Sequence, residues 1–224
     1  MSQRYVMAAS MLLLLAIVTP SFGDVVIGDF EGSTFPAAWG NWSSGPGDLG
    51  SFPKYSLSSA HSTLGSQSLL ITNAGYQQNL AFWGGTGSEP GSLADFAAND
   101  RILVDVIFPA STEAGYAQIY EIAFNSNAPA GFEGRSYTGQ GVGWGAGGGG
   151  AQTITLEYDY TNHKAAWGGN PTYAQIIFST NSDAAHGFFH FDNVRLARIV
   201  PEPATISIVG CGLLLGLVGW RCRR

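Results

Sequence analysis

No cysteine precedes Cys211, and the only other is Cys222. Everything upstream must therefore hold together without a disulfide, even in a compartment that permits one. Charge is also sparse, at 12% of residues, and cations are scarcest. Residues 24–198 carry six Lys and Arg against fifteen Asp and Glu, an excess of nine negative charges. That balance argues against nucleic acid and anionic membrane surfaces as partners, and suits divalent cations and neutral sugars better. No stretch of this region keeps apolar residues at i, i+3, i+4 and i+7 long enough for a convincing helix. Nucleophile motifs are missing too. No Gly-x-Ser-x-Gly elbow and no His-Glu-x-x-His pair occurs, which removes the commonest serine-hydrolase and zinc-protease signatures. No Cys/His set has zinc spacing and no segment matches an EF-hand loop.

What is present begins at the two ends. Arg4, an apolar run over 6–18 and Ser21-Phe22-Gly23 have the layout of a cleaved signal peptide, with small residues where the peptidase reads. Cleavage is expected before Asp24; a retained N-terminal anchor is the alternative. Residues 1–23 are thus read as leader, 24–198 as one exported domain and 199–224 as a tail. About 175 residues suffice for one hydrophobic core. In the tail, Pro201 and Pro203 end whatever element precedes them, because proline fixes φ and lacks a donor. An uncharged run over 206–220 follows, then Arg221, Cys222, Arg223 and Arg224. Counted from Ala204 the run is just long enough for a membrane helix, which needs about 17 residues at least. Trp220 suits an interface, and the arginines form a stop that stays cytoplasmic.

The tail resembles the PEP-CTERM sorting signal on Pro201-Glu202-Pro203, one short membrane helix and a basic end. That resemblance implies recognition by an exosortase-type sorting enzyme, a Gram-negative bacterial host, and delivery to the cell surface or an exopolysaccharide matrix. The alternative is an ordinary C-terminal anchor.

Between the ends, glycine, serine and aromatics dominate, and short strand-like runs alternate with turn residues. Strands are predicted over 25–30, 68–72, 79–83, 101–108, 117–124, 153–160, 175–179 and 187–196, with a short one near 55–57 and a helical turn over 93–99. Many short strands with Gly, Pro and Asn turns predict an all-β, antiparallel sandwich. Along 101–108, Ile102, Val104, Val106 and Phe108 share one face. Leu103, Asp105 and Ile107 share the other, as expected near an edge or under a covering loop. Along 187–196 a regular pleat would put Phe189 and Phe191 opposite Val194 and Leu196. Burying all four requires a β-bulge near Asp192-Asn193.

The opening Gly28-Asp29-Phe30-Glu31-Gly32, followed by Trp39 and Trp42, and the closing 188–196 together resemble the two ends of jelly-roll modules of the galactose-binding-like or carbohydrate-binding kind. The resemblance implies first and last strands that lie close together, with a structural Ca²⁺ often between them. Asp29, Glu31 and Asp192 are the metal candidates, since hard oxygen donors suit Ca²⁺; the bland reading is solvated turn carboxylates. His186 and His190, four apart on a strand, are about 13 Å apart and poorly placed to share a metal.

Other candidates concern sugars. Trp39, Trp42, Trp83, Trp144 and Trp167 sit beside Gly, Ser, Asn or other turn-prone residues in expected loops. They either plug the ends of the core or stack on a ligand. Trp83 and Trp144, each followed by glycine, are the ligand candidates. The run over 139–150 reads as a flexible loop, because its Gly-x-Gly-x-x-Gly match arises from glycine density and precedes a strand. Glu121, Glu157 and Asp159 could in principle supply paired carboxylates for glycoside hydrolysis. Asn41-Trp42-Ser43 matches a glycosylation sequon, which carries little weight in a bacterium. The reading with the most support is a non-catalytic surface or matrix protein, jelly-roll-like, associated with extracellular polysaccharide. A carbohydrate-binding module is the alternative, and a glycan hydrolase a third.

Overall fold

In the computed structural model the chain is described over residues 23–43, 45–47, 55–72, 78–85, 90–110, 116–129, 131–142, 150–182 and 187–199. The leader, Pro201-Glu202-Pro203, the apolar run, the terminal arginines, Trp144 and His186 lie outside the described residues. Among those described, no helix is long and apolar enough to cross a membrane.

Among the described residues, eleven strands and two short helices build the domain. The strands are β1 (Val25–Gly28), β2 (Trp39–Asn41), β3 (Tyr55–Ser58), β4 (Ser68–Thr72), β5 (Gln78–Trp83), β6 (Arg101–Phe108), β7 (Ala117–Ser126), β8 (Phe132–Val142), β9 (Gln152–Asp159), β10 (Ala174–Ser182) and β11 (Phe188–Ala197). The helices are α1 (Leu93–Ala98) and α2 (Thr161–Trp167). One sheet has the order β3-β4-β11-β6-β9, with β1 also paired to β11; the other has β2-β5-β10-β7-β8. Every pairing is antiparallel. This is the expected all-β sandwich, and β1 against β11 brings the chain's opening and closing strands together.

Alternation decides what lies between the sheets. Ile102, Val104, Val106 and Phe108 meet Leu80, Phe82, Ile176, Phe178, Ile122 and Phe124 in one core. Each such large apolar side chain stabilises by roughly 1.5–3 kcal/mol on full burial. Trp39 is completely buried. It lies against Phe30, Phe82 and Phe178, and its Nε1–H donates to the Ile27 carbonyl at 3.0 Å. At one end of the core Phe124 stacks on Tyr160 with centroids 4.9 Å apart, and the Tyr160 hydroxyl donates to the Phe96 carbonyl. A capping box of Ser92 and Asp95 starts α1, satisfying donors that the first turn leaves open.

The bulge in β11 is present. Its register with β6 shifts between Asp192 and Arg195, and Asn193 takes a left-handed φ of 47°, which asparagine tolerates better than most residues. The result buries Phe189, Phe191, Val194 and Leu196 together.

Three expectations need correction. Trp39 is in strand β2 and Trp167 ends helix α2, not in loops. Helix α2 carried only a weak sequence signal, the Asp159 acceptor at its start and Gly168 at its end, because its N-cap Tyr160 makes no side-chain cap and only His163 on it is buried. Residues 139–142 belong to β8, where Gln140, Gly141 and Val142 pair with Ile119, Gln118 and Ala117. Backbone ladder bonds need no side chain, so glycine density alone did not exclude a strand.

Candidate functional site

The two sheets present different outer faces. On the six-stranded sheet, the segment between β3 and β4 folds back over β11 and β6, and carboxylates fasten it. Asp192 is fully buried. Its Oδ2 accepts from the backbone N–H of Thr63 and of Leu64 and from the Thr63 hydroxyl, and its Oδ1 accepts from Asn193 N–H. Asp105 accepts from Thr63, Thr155 and Asn193 side chains, with Arg195 at 3.5 Å. Burial opposes its ionisation, but those hydrogen bonds and the Arg195 charge outweigh that and hold its pKa below the usual value. Glu31 accepts from Ser66 N–H, the Ser66 hydroxyl and Gln67 N–H; these bonds, led by Gln67, lower its pKa. Gly65 allows this clamp. Its φ is +68°, and a side chain there would strike the Glu31 carboxyl.

Beneath the same loop, His190 is buried, with Nδ1 2.9 Å from the Ser68 hydroxyl and its ring edge-on to His61 at 5.0 Å. Its Nε2 is buried without a hydrogen-bond partner. Burial, with a smaller contribution from His61, pushes its pKa down to about 4. The covering loop is why Asp105 can sit on the outward side of β6 in mid-sheet.

Asp29, Glu31 and Asp192 do not converge as a ligand set. Among the described residues no group of three or more His, Cys, Asp or Glu is placed to hold a metal ion. Asp29 accepts from Glu31 N–H, and the other two carboxylates are occupied by loop donors. A further trio joins Ser126, His163 and Glu133, with His163 Nδ1 3.4 Å from Ser126 Oγ and Nε2 3.0 Å from Glu133 Oε2. It is a fastening for α2, because Ser126 is buried and its Oγ accepts from Ala128 N–H and from Trp167 Nε1–H.

Among the described residues no loop is fastened in this way over the outward face of the five-stranded sheet, where ranks of side chains run across the strands. The first rank is Trp83, Gln175, Asn125 and Phe132, aligned by register across β5, β10, β7 and β8. The strands are about 4.8 Å apart, so the rank spans about 14 Å. Asn125 Nδ2 donates to Gln175 Oε1 at 3.2 Å, and the Tyr173 hydroxyl donates to Asn125 Oδ1 at 3.3 Å. Phe132 is 51% exposed and Tyr173 46%. The second rank is apolar and low: Gly40, Ala81, Ile177, Ala123 and Gly134, with Trp83 packed against its alanines and isoleucine. The third is polar: Asn79, Ser179, Glu121 and Ser136. Asn79 Oδ1 is shielded without a partner. Trp42, 45% exposed, donates its backbone N–H to the Asn79 carbonyl.

This face therefore combines a low floor, two exposed aromatic rings flanking paired amides, and a polar margin. Of the predicted ligand residues Trp83 belongs to it. Phe132, Tyr173, Asn125 and Gln175 were missed. Only strand register, which no local pattern reveals, places Gln175, Asn125 and Phe132 in one rank with Trp83, and Tyr173 joins it through its hydroxyl bond to Asn125.

No protein-family model matches the chain, and no curated protein is significantly similar to it. Among solved structures it is similar to the CBM27-1 of Caldicellulosiruptor saccharolyticus in complex with mannohexaose, at 18% identity and a TM-score of 0.47, covering 79% of this chain and 98% of that one. It is similar to a non-crystalline cellulose specific carbohydrate-binding module, CBM28, at 16% identity and TM-score 0.45, covering 80% and 97%. An exo-β-agarase matches at 12% identity and TM-score 0.48, covering 80% of this chain and 26% of the enzyme. Likenesses this distant assign no ligand and no site residue to this chain.

Proposed function

We propose that the sandwich is a non-catalytic carbohydrate-binding domain whose ligand lies across the outer face of the five-stranded sheet. The rank Trp83–Gln175–Asn125–Phe132 supports this. Aromatic rings offer flat apolar faces to the C–H side of a sugar, and the amides between them both donate and accept toward hydroxyls. At about 14 Å the rank is long enough for a short run of sugar rings rather than one. Hydrolysis of a glycoside needs two acids facing one bond. Glu121 is on this face, whereas Glu157 and Asp159 are on β9 of the other sheet.

Affinity electrophoresis of the full-length protein in mild detergent, through gels containing soluble polysaccharides, tests the reading. Retardation by at least one polysaccharide is expected, with affinity falling about tenfold or more in Trp83→Ala or Asn125→Ala. Retention unchanged in both variants would overturn the assignment of this face.

We also propose that the domain is exported by its leader and handled through Pro201-Glu202-Pro203 by an exosortase-type enzyme. It then reaches the cell surface or the polysaccharide matrix of a Gram-negative bacterium, with the membrane helix and Arg221, Arg223 and Arg224 holding the intermediate. Intact mass of the protein from its native host checks the sorting route. Truncation near residues 201–205, with protein outside the membrane, is expected; a mass running to Arg224 in the membrane fraction would leave a plain anchor.

A further inference from the structure

The rank-bearing face carries ionisable charge at one place. Among the described residues the side chains of its three ranks are uncharged (aromatic, aliphatic, amide, hydroxyl or small) except Glu121, which lies between Ser179 and Ser136 in the polar rank. The described cations are all committed elsewhere. Arg101 pairs with Glu157 and Lys164 with Asp100. Arg195 pairs with Asp24 and Asp105. Arg135 reaches over Tyr137 to the Glu157 carbonyl, and Arg198 follows β11. Glu121 also has a built position. Its carboxylate lies over Gly134 on β8, and a methyl group there would collide with it. The absent Cβ is what lets the acid lie flat along the floor, beside Ala123 and the low rank.

We infer that Glu121 makes this face selective for neutral over anionic polysaccharides, an inference that rests on the carbohydrate-binding reading of the same face. A carboxylate accepts hydrogen bonds from sugar hydroxyls strongly, because its acceptor is ionised. A sugar carboxylate or sulfate offers it no proton, meets a like charge, and finds no cation among the described residues of the face in compensation. Discrimination is then built as repulsion of the wrong ligand, added to attraction of the right one. The domain's overall negative charge repels polyanions too, but salt screens that within about 8 Å at physiological ionic strength. A charge inside the binding face acts at contact distance and is screened less.

The test pairs glucomannan and xylan with polymannuronate-rich alginate and polygalacturonate, using full-length protein and affinity electrophoresis at two salt concentrations. Wild type is expected to bind a neutral polymer and to bind the polyanions at least about fivefold more weakly. Glu121→Gln should shrink that ratio by at least about fivefold, and Gly134→Ala, which displaces the carboxylate, should shift it the same way. Asp29→Asn removes a remote charge while keeping its turn acceptor, and should leave the ratio alone. Added salt should strengthen wild-type binding to alginate and not to glucomannan. If wild type binds alginate as tightly as glucomannan, or Glu121→Gln leaves the ratio unchanged, the charge filter is wrong while carbohydrate binding stands. If wild type binds no neutral polymer, the binding reading itself falls, and the filter with it.

Discussion

The outer faces of the two sheets both carry polar groups and use them in opposite ways. On the six-stranded sheet the acids Asp192, Asp105 and Glu31 have their oxygens taken up by loop N–H groups and hydroxyls. On the five-stranded sheet amides and aromatics stand at the surface, and Asn79 Oδ1 lacks an internal partner. Buried polar groups in folded proteins are nearly always satisfied. Among the described residues, the first face therefore has its carboxylates engaged by its own loop, although His190 Nε2 beneath it has no partner, and the second leaves its amides and aromatics at the surface. The most acidic, most buried residues are fasteners, whereas the ligand-facing groups are mostly uncharged.

The sharpest way to break this contrast is Asp192→Ala. It strands four donor contacts in a buried site, so unfolding free energy should fall by about 3 kcal/mol or more, measured by urea denaturation. Polysaccharide affinity per folded molecule should not change. A variant of wild-type stability would mean that the loop does not depend on its carboxylate clamp.

Acid should act on the same face. His190 has a native pKa of about 4 against an ordinary value of 6.5. Above pH 6.5 it is neutral in both states and costs nothing. As pH falls toward 4 the unfolded chain takes up the proton and the native state does not, so stability is lost across that window, by up to about 3 kcal/mol. Below pH 4 the loss levels off for this group. Asp105, whose native pKa is depressed, adds a loss below the ordinary carboxylate range. Thermal unfolding of His190→Gln against pH should show a flatter profile between pH 6.5 and 4; identical profiles would remove His190 as the cause.

The smallest stability effect belongs to the other face. Trp83 is only partly buried, so Trp83→Ala should cost about 1 kcal/mol of stability while removing most polysaccharide affinity. A large stability loss with intact binding would reverse the roles assigned to the two sheets.

Much of the architecture was legible along the chain. Period-two alternation in 101–108 and the broken alternation around Asp192-Asn193 are local properties of the polypeptide, so strand β6 and the bulge could be read directly. β8 was hidden by its glycines, and α2 by its length of seven residues with only His163 buried. Asp29, Glu31 and Asp192 had the chemistry of a metal site, but chemistry alone does not say which donors arrive first. The loop carrying Thr63, Leu64, Ser66 and Gln67 reaches two of them.

The sequence by itself determined the sandwich class, the dependence on packing without disulfides, the acidic balance and the aromatic supply, because composition and periodicity are carried by each segment alone. Only the tertiary structure decided which aromatics are plugs and which form a surface. Trp39 and Trp83 look alike in local context, yet one is the centre of the core and the other ends a rank of four strands. That outcome depends on register between strands distant in sequence, where a shift by one residue would exchange the faces.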